Sequence, residues 1–330
     1  MNKFLLTLLC APLFLQSFPY TVEEDMQRSV RASHSLTLEL EEIDLVIAVD
    51  GEEREIPQAE RTQIVSSRET LEYTDTISQL DGDQPTRIQR SFETLSMEET
   101  QKVEVPGQDP IDAARSGTSA FEGETALLVR DEEGDWSSSI EDDEELDQET
   151  LDGLTAHFGF KAFLPEDLEA ELGDEWEIPL EAYAQLRNPA GLMSFEFDEE
   201  SPFPSTRSQF TDNLEGEMNA KWVAYDEEEG LATIELLFEL STHTEVEVEL
   251  SLPGAEGEMS QAMEVEFELS GELIWDMQKG ALRSISVEGS VESDVLIIQA
   301  LRPDEAEFTE RIATQRVKLS GEIKHELRVE

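Results

Sequence analysis

The second half of this chain alternates apolar and polar residues over runs much longer than an ordinary strand. From Ala232 to Leu250, and again from Met263 to Trp275, nearly every second residue is apolar, and most positions between them are polar or charged. A period of two predicts β-strands with one buried and one solvated face, which antiparallel sheets tolerate. Runs of twelve or more residues exceed the usual strand length of about five or six. The pattern therefore predicts a mainly β protein with a large curved antiparallel sheet or open half-barrel, built from long hairpins.

A glycine recurs on the inward row of these strands. It stands in LEGEM, LSGEL and LSGEI at Gly216, Gly271 and Gly321, and in the variant VEGSV at Gly289. A glycine within a strand usually weakens it, so its repetition needs a reason. One reason is curvature, because glycine kinks let a long sheet coil. The other is a gap on the concave face, where a ligand approaches the backbone.

Two tryptophans share the inward parity of these strands. Trp222 and Trp275 each stand near the end of a predicted hairpin, where an indole ring can either pack in the core or line a ligand groove. Together with the glycines they form the candidate ligand-binding face that we place on the concave side: Gly216, Trp222, Gly271, Trp275, Gly289 and Gly321.

The first half of the chain also alternates, with interruptions. Its inward parity changes near Glu41–Ile43, which predicts a bulge or turn, and Asp50-Gly51 is typical of a turn. ALLVR and WSSSI flank the acidic turn DEEGD and predict a short hairpin. Residues 98–117 contain two prolines and two glycines and are predicted to form a loop or linker.

The middle of the chain changes to a helical period. Leu151, Leu154 and Phe158 fall on one face of a predicted helix. Pro165 and Gly173 bracket a second, and PLEAYAQLRNPAG predicts a third. The chain thus divides into a signal peptide (1–17), an N-terminal β region (18–140), a helical connector that caps the sheet (141–191), and a C-terminal region of long hairpins (192–330), which is either separate from the N-terminal strands or continuous with them.

The charge is extreme, with 78 acidic residues against 23 basic ones and a formal net charge of −55. Such a surface repels phosphate backbones and anionic lipids, so we expect neither nucleic acid nor an anionic membrane surface as a partner. The acids either attract cations and basic partners or keep the protein soluble in a saline habitat. Against this background Arg87 and Arg90 are conspicuous, and they either form internal ion pairs or recognise an acidic group.

The N-terminus has the pattern of a secretory signal. Lys3 precedes an apolar stretch from Phe4 to Leu15, and polar sequence follows. We expect removal after Ser17 and export to the periplasm or the extracellular space, with a retained signal anchor as the alternative. Removal would take with it Cys10, the single cysteine, and would leave no disulfide or cysteine-ligated metal.

No constellation of catalytic residues stands out. His34, His157, His243 and His325 are far apart and lack the spacing of a metal site, and no phosphate-binding loop or nucleophile elbow occurs. Acidic turns such as YDEEEG lack the alternating ligands of a calcium loop, although weak calcium binding stays open. We therefore predict a protein that is not an enzyme, with no catalytic residue, no cofactor and no metal ligand.

Three segments carry a resemblance to known proteins: YTDTISQLDGDQPTRIQRSFETL, LGDEWEIP and GELIWDMQKGALRSISVEGSVES. Together they resemble a class of exported, β-rich bacterial proteins with no assigned activity. In architecture alone the pattern is similar to the half-barrels of periplasmic lipoprotein carriers. That resemblance implies a curved sheet covered by short helices, and it implies lipid carriage only by analogy of fold.

Three functions are compatible with these patterns. The first is a non-catalytic exported protein that binds an apolar or amphipathic ligand, or another exported protein, on the concave face. The second is a structural or surface-associated protein whose concave side is filled. The third is a hydrolase that uses a pair of carboxylates, a pair that the sequence cannot select from 78 acids.

Overall fold

The structure, a computed structural model, describes residues 16–56, 61–82, 84–131, 133–140, 148–156, 160–198, 213–252, 255–303 and 311–330. The first fifteen residues of the expected signal peptide, together with Phe158 and His157, lie outside these ranges. The strands are β1 (Gln16–Ser17), β2 (Gln27–Val49), β3 (Glu52–Glu55), β4 (Thr62–Asp81), β5 (Gln84–Glu104), β6 (Ile111–Thr118), β7 (Thr125–Arg130), β8 (Trp136–Ile140), β9 (Glu169–Ala170), β10 (Glu175–Glu177), β11 (Glu196–Phe197), β12 (Leu214–Asp226), β13 (Leu231–Leu252), β14 (Ala255–Asp276), β15 (Ala281–Pro303) and β16 (Arg311–Val329). The helices are α1 (Gln148–Asp152), a 3₁₀ turn (Lys161–Phe163) and α2 (Glu181–Arg187).

One large antiparallel sheet dominates the molecule. Its strands follow the order β10-β12-β13-β14-β15-β16-β2-β4-β5-β6-β11, with β3 beside β2 and the β7–β8 hairpin beside β5. The order has two ends, so the sheet is open rather than closed into a barrel. The predicted fold class, mainly β with a large curved antiparallel sheet and a few short helices, is confirmed. The ladder between β16 and β2 joins the N-terminal and C-terminal strands into one continuous sheet.

Several local predictions are also confirmed. Glu41 is the extra residue of a bulge in β2, because Leu40 pairs with Leu319 and Glu42 pairs with Lys318. The turn at Asp50-Gly51 joins β2 to β3. ALLVR and WSSSI form the β7–β8 hairpin, and PLEAYAQLRNPAG contains α2.

Two local predictions are wrong. Residues 98–117 are not a linker: β5 continues to Glu104 and β6 begins at Ile111, because cross-strand hydrogen bonds hold this polar sequence in a ladder. The segment from Pro165 to Gly173 is not a helix. Leu168 adopts a left-handed backbone conformation (φ 57°), which a helix excludes, and the next two residues pair as β9 with β1.

Each of the four inward glycines lies where the backbone of a neighbouring strand leaves no room for a side chain. Gly271 on β14 is opposite Val287, and Gly289 on β15 is one inward position further along. Gly321 on β16 is one position further again, so the three glycines form a diagonal across neighbouring strands. Gly216 lies on β12, in the same cross-strand row as Gly321.

A side chain at any of the four positions would collide with the backbone of the adjacent strand. A Cβ atom would lie 1.8 to 2.1 Å from a carbonyl oxygen there, the oxygens being those of Glu239, Ser286, Glu268 and Thr37 for Gly216, Gly271, Gly289 and Gly321. Of the two reasons considered for these glycines, the structure shows the close approach of strand to strand that curvature requires. Backbone, rather than a gap, occupies the space beside them.

We predict that Gly271→Ala destabilises the protein by about 1 to 3 kcal/mol, because the new Cβ must displace the backbone of β15. The midpoint of urea unfolding measures this loss. Ser270→Ala is the matched control, because Ser270 is exposed on the other face of the same strand. Equal midpoints for the two variants would contradict the proposed strain.

Candidate binding face

The connector between the two halves covers one part of the concave face. The backbone N–H of Ile178 donates to the carbonyl of Met218 on β12 (2.8 Å), and the Tyr73 hydroxyl on β4 donates to the carbonyl of Pro189 (3.0 Å). Buried connector residues share one core with the inner faces of the strands, and they include Phe163, Leu164, Ile178, Ala182, Leu186 and Ala190. The chain therefore fills this part of its concave face with its own side chains.

Both predicted tryptophans lie in this filled part. Trp222 is 1% exposed and packs edge-on against Phe18, with ring centroids 5.0 Å apart. Trp275 is fully buried, and its indole N–H donates to the carbonyl of Pro19 (3.1 Å). The segment that follows the expected cleavage site therefore covers both rings, and of the two roles considered for them, core packing describes both.

The six residues of the predicted ligand face do not converge on one exposed surface. Gly271, Gly289 and Gly321 lie on neighbouring strands with backbone beside them, and Gly216 lies four strands away from Gly321. A ligand at these positions stays a prediction. The structure instead reveals two features that the sequence reasoning did not single out. The first is a row of buried polar residues between α2 and the sheet, formed by His34, His325, Glu69, Tyr183 and Arg187, which we call the buried polar row. The second is an uncovered extension of the sheet.

Two histidines meet in the buried polar row. His34 on β2 and His325 on β16 are directly opposite each other, and their Nδ1 atoms are 2.8 Å apart in a hydrogen bond. The Tyr183 hydroxyl of α2 is 3.1 Å from the other ring nitrogen of His325. Tyr183 and both histidines are buried. The histidine pair thus links two strands of the sheet to the helix above them.

A buried ion pair lies next to the histidines. Glu69 on β4 is opposite His34, and it accepts a hydrogen bond from Arg187 Nη1 at 2.9 Å. Arg187 follows Tyr183 by four residues, so the two side chains emerge from the same face of α2. One short helix is therefore anchored to the sheet at two neighbouring polar positions.

Burial controls protonation in this row. Burial, and then the positive charge of Arg187, lower the pKa of His325 to about 3, and burial raises the pKa of Tyr183 to about 12. If His325 were doubly protonated, its two ring nitrogens could still donate hydrogen bonds to His34 and Tyr183. The free-energy cost of its charge therefore comes from desolvation and from repulsion by Arg187, and not from a lost hydrogen bond. His325 and Tyr183 are both uncharged at neutral pH.

A second buried ion pair supports the other end of the connector. Arg90 donates two hydrogen bonds to Asp75 (2.7 and 2.8 Å) and two more to the carbonyls of Thr155 and Ala190 (2.9 and 3.1 Å). Its guanidinium carbon lies 4.3 Å from the centroid of the Tyr73 ring. Burial lowers the pKa of Arg90, but the charge of Asp75 more than compensates and raises it above its usual value. Arg90 is thus an internal ion-pair residue that holds the connector, one of the two roles considered for it.

The sheet continues past the connector, where its inner face is open. Beyond Val265 on β14 and Val291 on β15, which are buried, exposure increases toward the far ends of the strands. Val246 and Val248 on β13 are 49% and 41% exposed. We call this surface the open inner face. The same two cross-strand rows continue across β14, β15, β16 and β2 through half-buried residues: Met259, Gln261, Ile297, Ala313, Gln315, Leu45 and Ile47.

Two kinds of feature are absent from the part of the chain that the structure describes. No helix there is long and apolar enough to cross a membrane. No group of three or more histidine, cysteine, aspartate or glutamate side chains there is placed to hold a metal ion.

The comparisons with known proteins identify no family for this chain. No family model matches the chain, and no curated protein is similar to it. An outer-membrane channel from Pseudomonas putida F1 aligns over 91% of this chain and 97% of its own, at 9% identity and a TM-score of 0.18. OccK7 (OpdD) from Pseudomonas aeruginosa aligns over 90% and 99%, at 6% identity and a TM-score of 0.17. At such TM-scores neither alignment supports an argument about this chain.

We predict that His325 makes stability depend on pH. Its pKa of about 3 in the folded state lies below the value of about 6.5 expected for an unfolded chain, so between these values the unfolded chain binds the proton more readily. Stability is therefore lost as pH falls through this window, by up to about 1.4 kcal/mol per pH unit. His325→Asn removes this contribution and keeps the many carboxylates. The unfolding free energy of the His325→Asn variant minus that of the wild type should therefore increase as pH falls from 6.5 to 3.5. A difference that stays constant over this range would contradict the prediction.

We also predict that Arg187→Met destabilises the protein by about 3 to 5 kcal/mol, because Glu69 would remain buried without its cation. The double variant Glu69→Gln/Arg187→Met should recover most of this loss in a urea unfolding experiment. Lys324→Met, which breaks an exposed pair with Glu288, is the control and should change the midpoint little. A double variant as unstable as the single one would show that the ion pair is not the cause.

Proposed function

We propose that this protein is exported, acts without catalysis, and binds an amphipathic ligand whose apolar part lies on the open inner face. The observation that carries this proposal is the exposure of Val246 and Val248 in two adjacent cross-strand rows that also contain half-buried Ile297, Leu45 and Ile47. Most apolar side chains on the inner face are buried elsewhere in the sheet. A contiguous exposed apolar surface with a polar surround is typical of a binding site.

The charge of the protein limits the kind of ligand. With a net charge of −55, the chain repels anionic amphiphiles and favours neutral or cationic head groups. Three glutamine side chains on or beside the open inner face, those of Gln261, Gln299 and Gln315, offer hydrogen bonds without charge. We therefore infer a ligand with an apolar chain and an uncharged or positively charged polar part.

The buried carboxylates support a role without catalysis. Glu69 and Asp75 are each engaged by an arginine at hydrogen-bond distance, Glu69 by Arg187 and Asp75 by Arg90. A general acid needs access to a substrate, and both carboxylates are buried. These pairs explain how the connector is held rather than how a bond would be broken.

A structural role is the second candidate, and one observation favours it. The connector and the segment around Phe18 fill the concave face near Trp222 and Trp275 with the chain's own side chains. If the open inner face binds nothing, the protein is a structural or surface-associated β protein with a filled core.

Binding of dodecyl maltoside below its critical micelle concentration separates these candidates. We expect saturable binding by the wild type, and about tenfold weaker binding by Val248→Gln/Ile297→Gln because two apolar contacts are lost. Leu237→Gln is the matched control, because Leu237 is 49% exposed on the opposite face. Native mass spectrometry of protein from its own cells should show a co-purified amphiphile. Absence of saturable binding, or equal weakening by the control, would favour the structural role.

A further inference from the structure

Strand β13 has a long edge that no described strand covers. Its ladder with β12 ends where Leu214 pairs with Thr242, whereas its ladder with β14 continues to Leu252. Along residues 243–252, the structure therefore shows no strand pairing on the β12 side, within the ranges it describes. Ten residues of strand extend over about 33 Å. The His243 carbonyl accepts a hydrogen bond from the Asn213 side chain (3.2 Å), and beyond it the outward-pointing backbone groups have no strand partner in the described structure.

This edge lacks most of the features that prevent strands from pairing. Proteins blunt an exposed edge with a proline, a bulge, an inward-pointing charge or a very short strand. The sequence HTEVEVELSL has no proline, and the ladder with β14 runs from Leu231 to Leu252 without a register shift. The inward positions Val246 and Val248 are apolar. Charge, which also protects an edge, is present in this stretch at Glu245, Glu247 and Glu249.

The outer face of the sheet pairs acids with bases at some positions and places acids opposite acids at others, such as Glu239 opposite Glu268. On its outer face, acids repeatedly stand directly opposite bases on the next strand and form ion pairs: Glu72 with Arg31, Glu42 with Lys318, Glu288 with Lys324, and Glu175 with Lys221. The glutamates of the β13 edge have no such partner on β14, because Ala262 is opposite Glu245 and Ser260 is opposite Glu247. Glu245 contacts only the imidazole of His243 on its own strand among the contacts described (3.2 Å).

We propose that residues 243–252 of β13 bind an extended segment of another protein in which apolar and basic residues alternate. Such a segment would add a strand to the sheet through backbone hydrogen bonds. Its apolar residues would pack beside Val246 and Val248, and its lysines or arginines would stand opposite Glu245 and Glu247. This interaction uses the edge of the sheet and does not depend on whether the open inner face binds an amphiphile.

Charge argues against a second copy of this chain as the occupant. Two β13 edges paired antiparallel about Glu247 would place Glu245 of each copy opposite Glu249 of the other and the two Glu247 residues opposite each other. Like charges directly opposite destabilise a sheet, and this pairing would add three such contacts to those that β13 already makes with its neighbours, such as Glu239 with Glu268. A shift by one residue would place valines among glutamates on both faces. A basic strand avoids both conflicts.

The test is binding of a fluorescent nine-residue peptide that alternates valine and lysine, together with hydrogen exchange of the full-length protein. We expect binding that weakens with salt, and slower exchange at the amides of residues 243–252. A peptide with the same composition in scrambled order, and one with N-methylated backbone amides on the pairing side, should bind at least about tenfold more weakly. The first control loses the alternation and the second loses the ladder hydrogen bonds.

A charge-reversed variant supplies the strongest control. Glu245→Lys/Glu247→Lys, on an exposed outer face, should lose the valine–lysine peptide and gain a valine–glutamate peptide. Equal binding of the scrambled or N-methylated peptide would overturn the proposal, because simple charge attraction would then explain it. Protection, in the free protein, of the amides of residues 243–252 that point away from β14 would also overturn it. Protection that is independent of concentration would point to another segment of this chain, and protection that rises with concentration would point to a second copy.

Discussion

The close approach of neighbouring backbones at the inward glycines is the constraint on which this structure depends. Where Gly271, Gly289 and Gly321 follow one another across three strands, a carbonyl oxygen occupies the space that a side chain would need. The strands can therefore coil along this diagonal instead of remaining flat. The connector donates a backbone hydrogen bond to Met218 on β12 and accepts a hydrogen bond from Tyr73 on β4, so it links strands that are far apart in the coiled sheet.

The sequence predicts the sheet well because side-chain parity records which face of a strand is buried. The same reasoning locates the bulge at Glu41, since an extra residue changes the parity of everything after it. It fails where long-range pairing outweighs local composition. Residues 98–104 have the polar composition of a loop, and only their partners on β4 and β6 hold them as a strand. Pro165 and Gly173 resemble helix boundaries, although the residues between them turn at Leu168.

The buried polar row marks the limit of sequence reasoning in a different way. Glu69 shares the inward parity of Leu71, and His325 shares that of Ile323 and Leu327, so a signal was present in the alternation. A charge at an inward position must be paired, because an isolated buried charge is too costly. The partner of Glu69 is Arg187, which lies 118 residues away in sequence, on α2. Parity can therefore predict that a partner exists, whereas only the three-dimensional structure identifies it.

The acidic surface has two separable parts. Most of the acids that the structure describes lie at exposed positions. On the outer face, cross-strand ion pairs such as Glu42 with Lys318 match some acids with bases, whereas several glutamates of β12 to β15 are opposite other acids. At the edge of β13, Glu245 and Glu247 have no base opposite them on β14, and the strand edge is also unpaired in the described structure. Unmatched charge and unmatched backbone coincide there, and this coincidence, rather than total charge, distinguishes the β13 edge from the rest of the acidic surface.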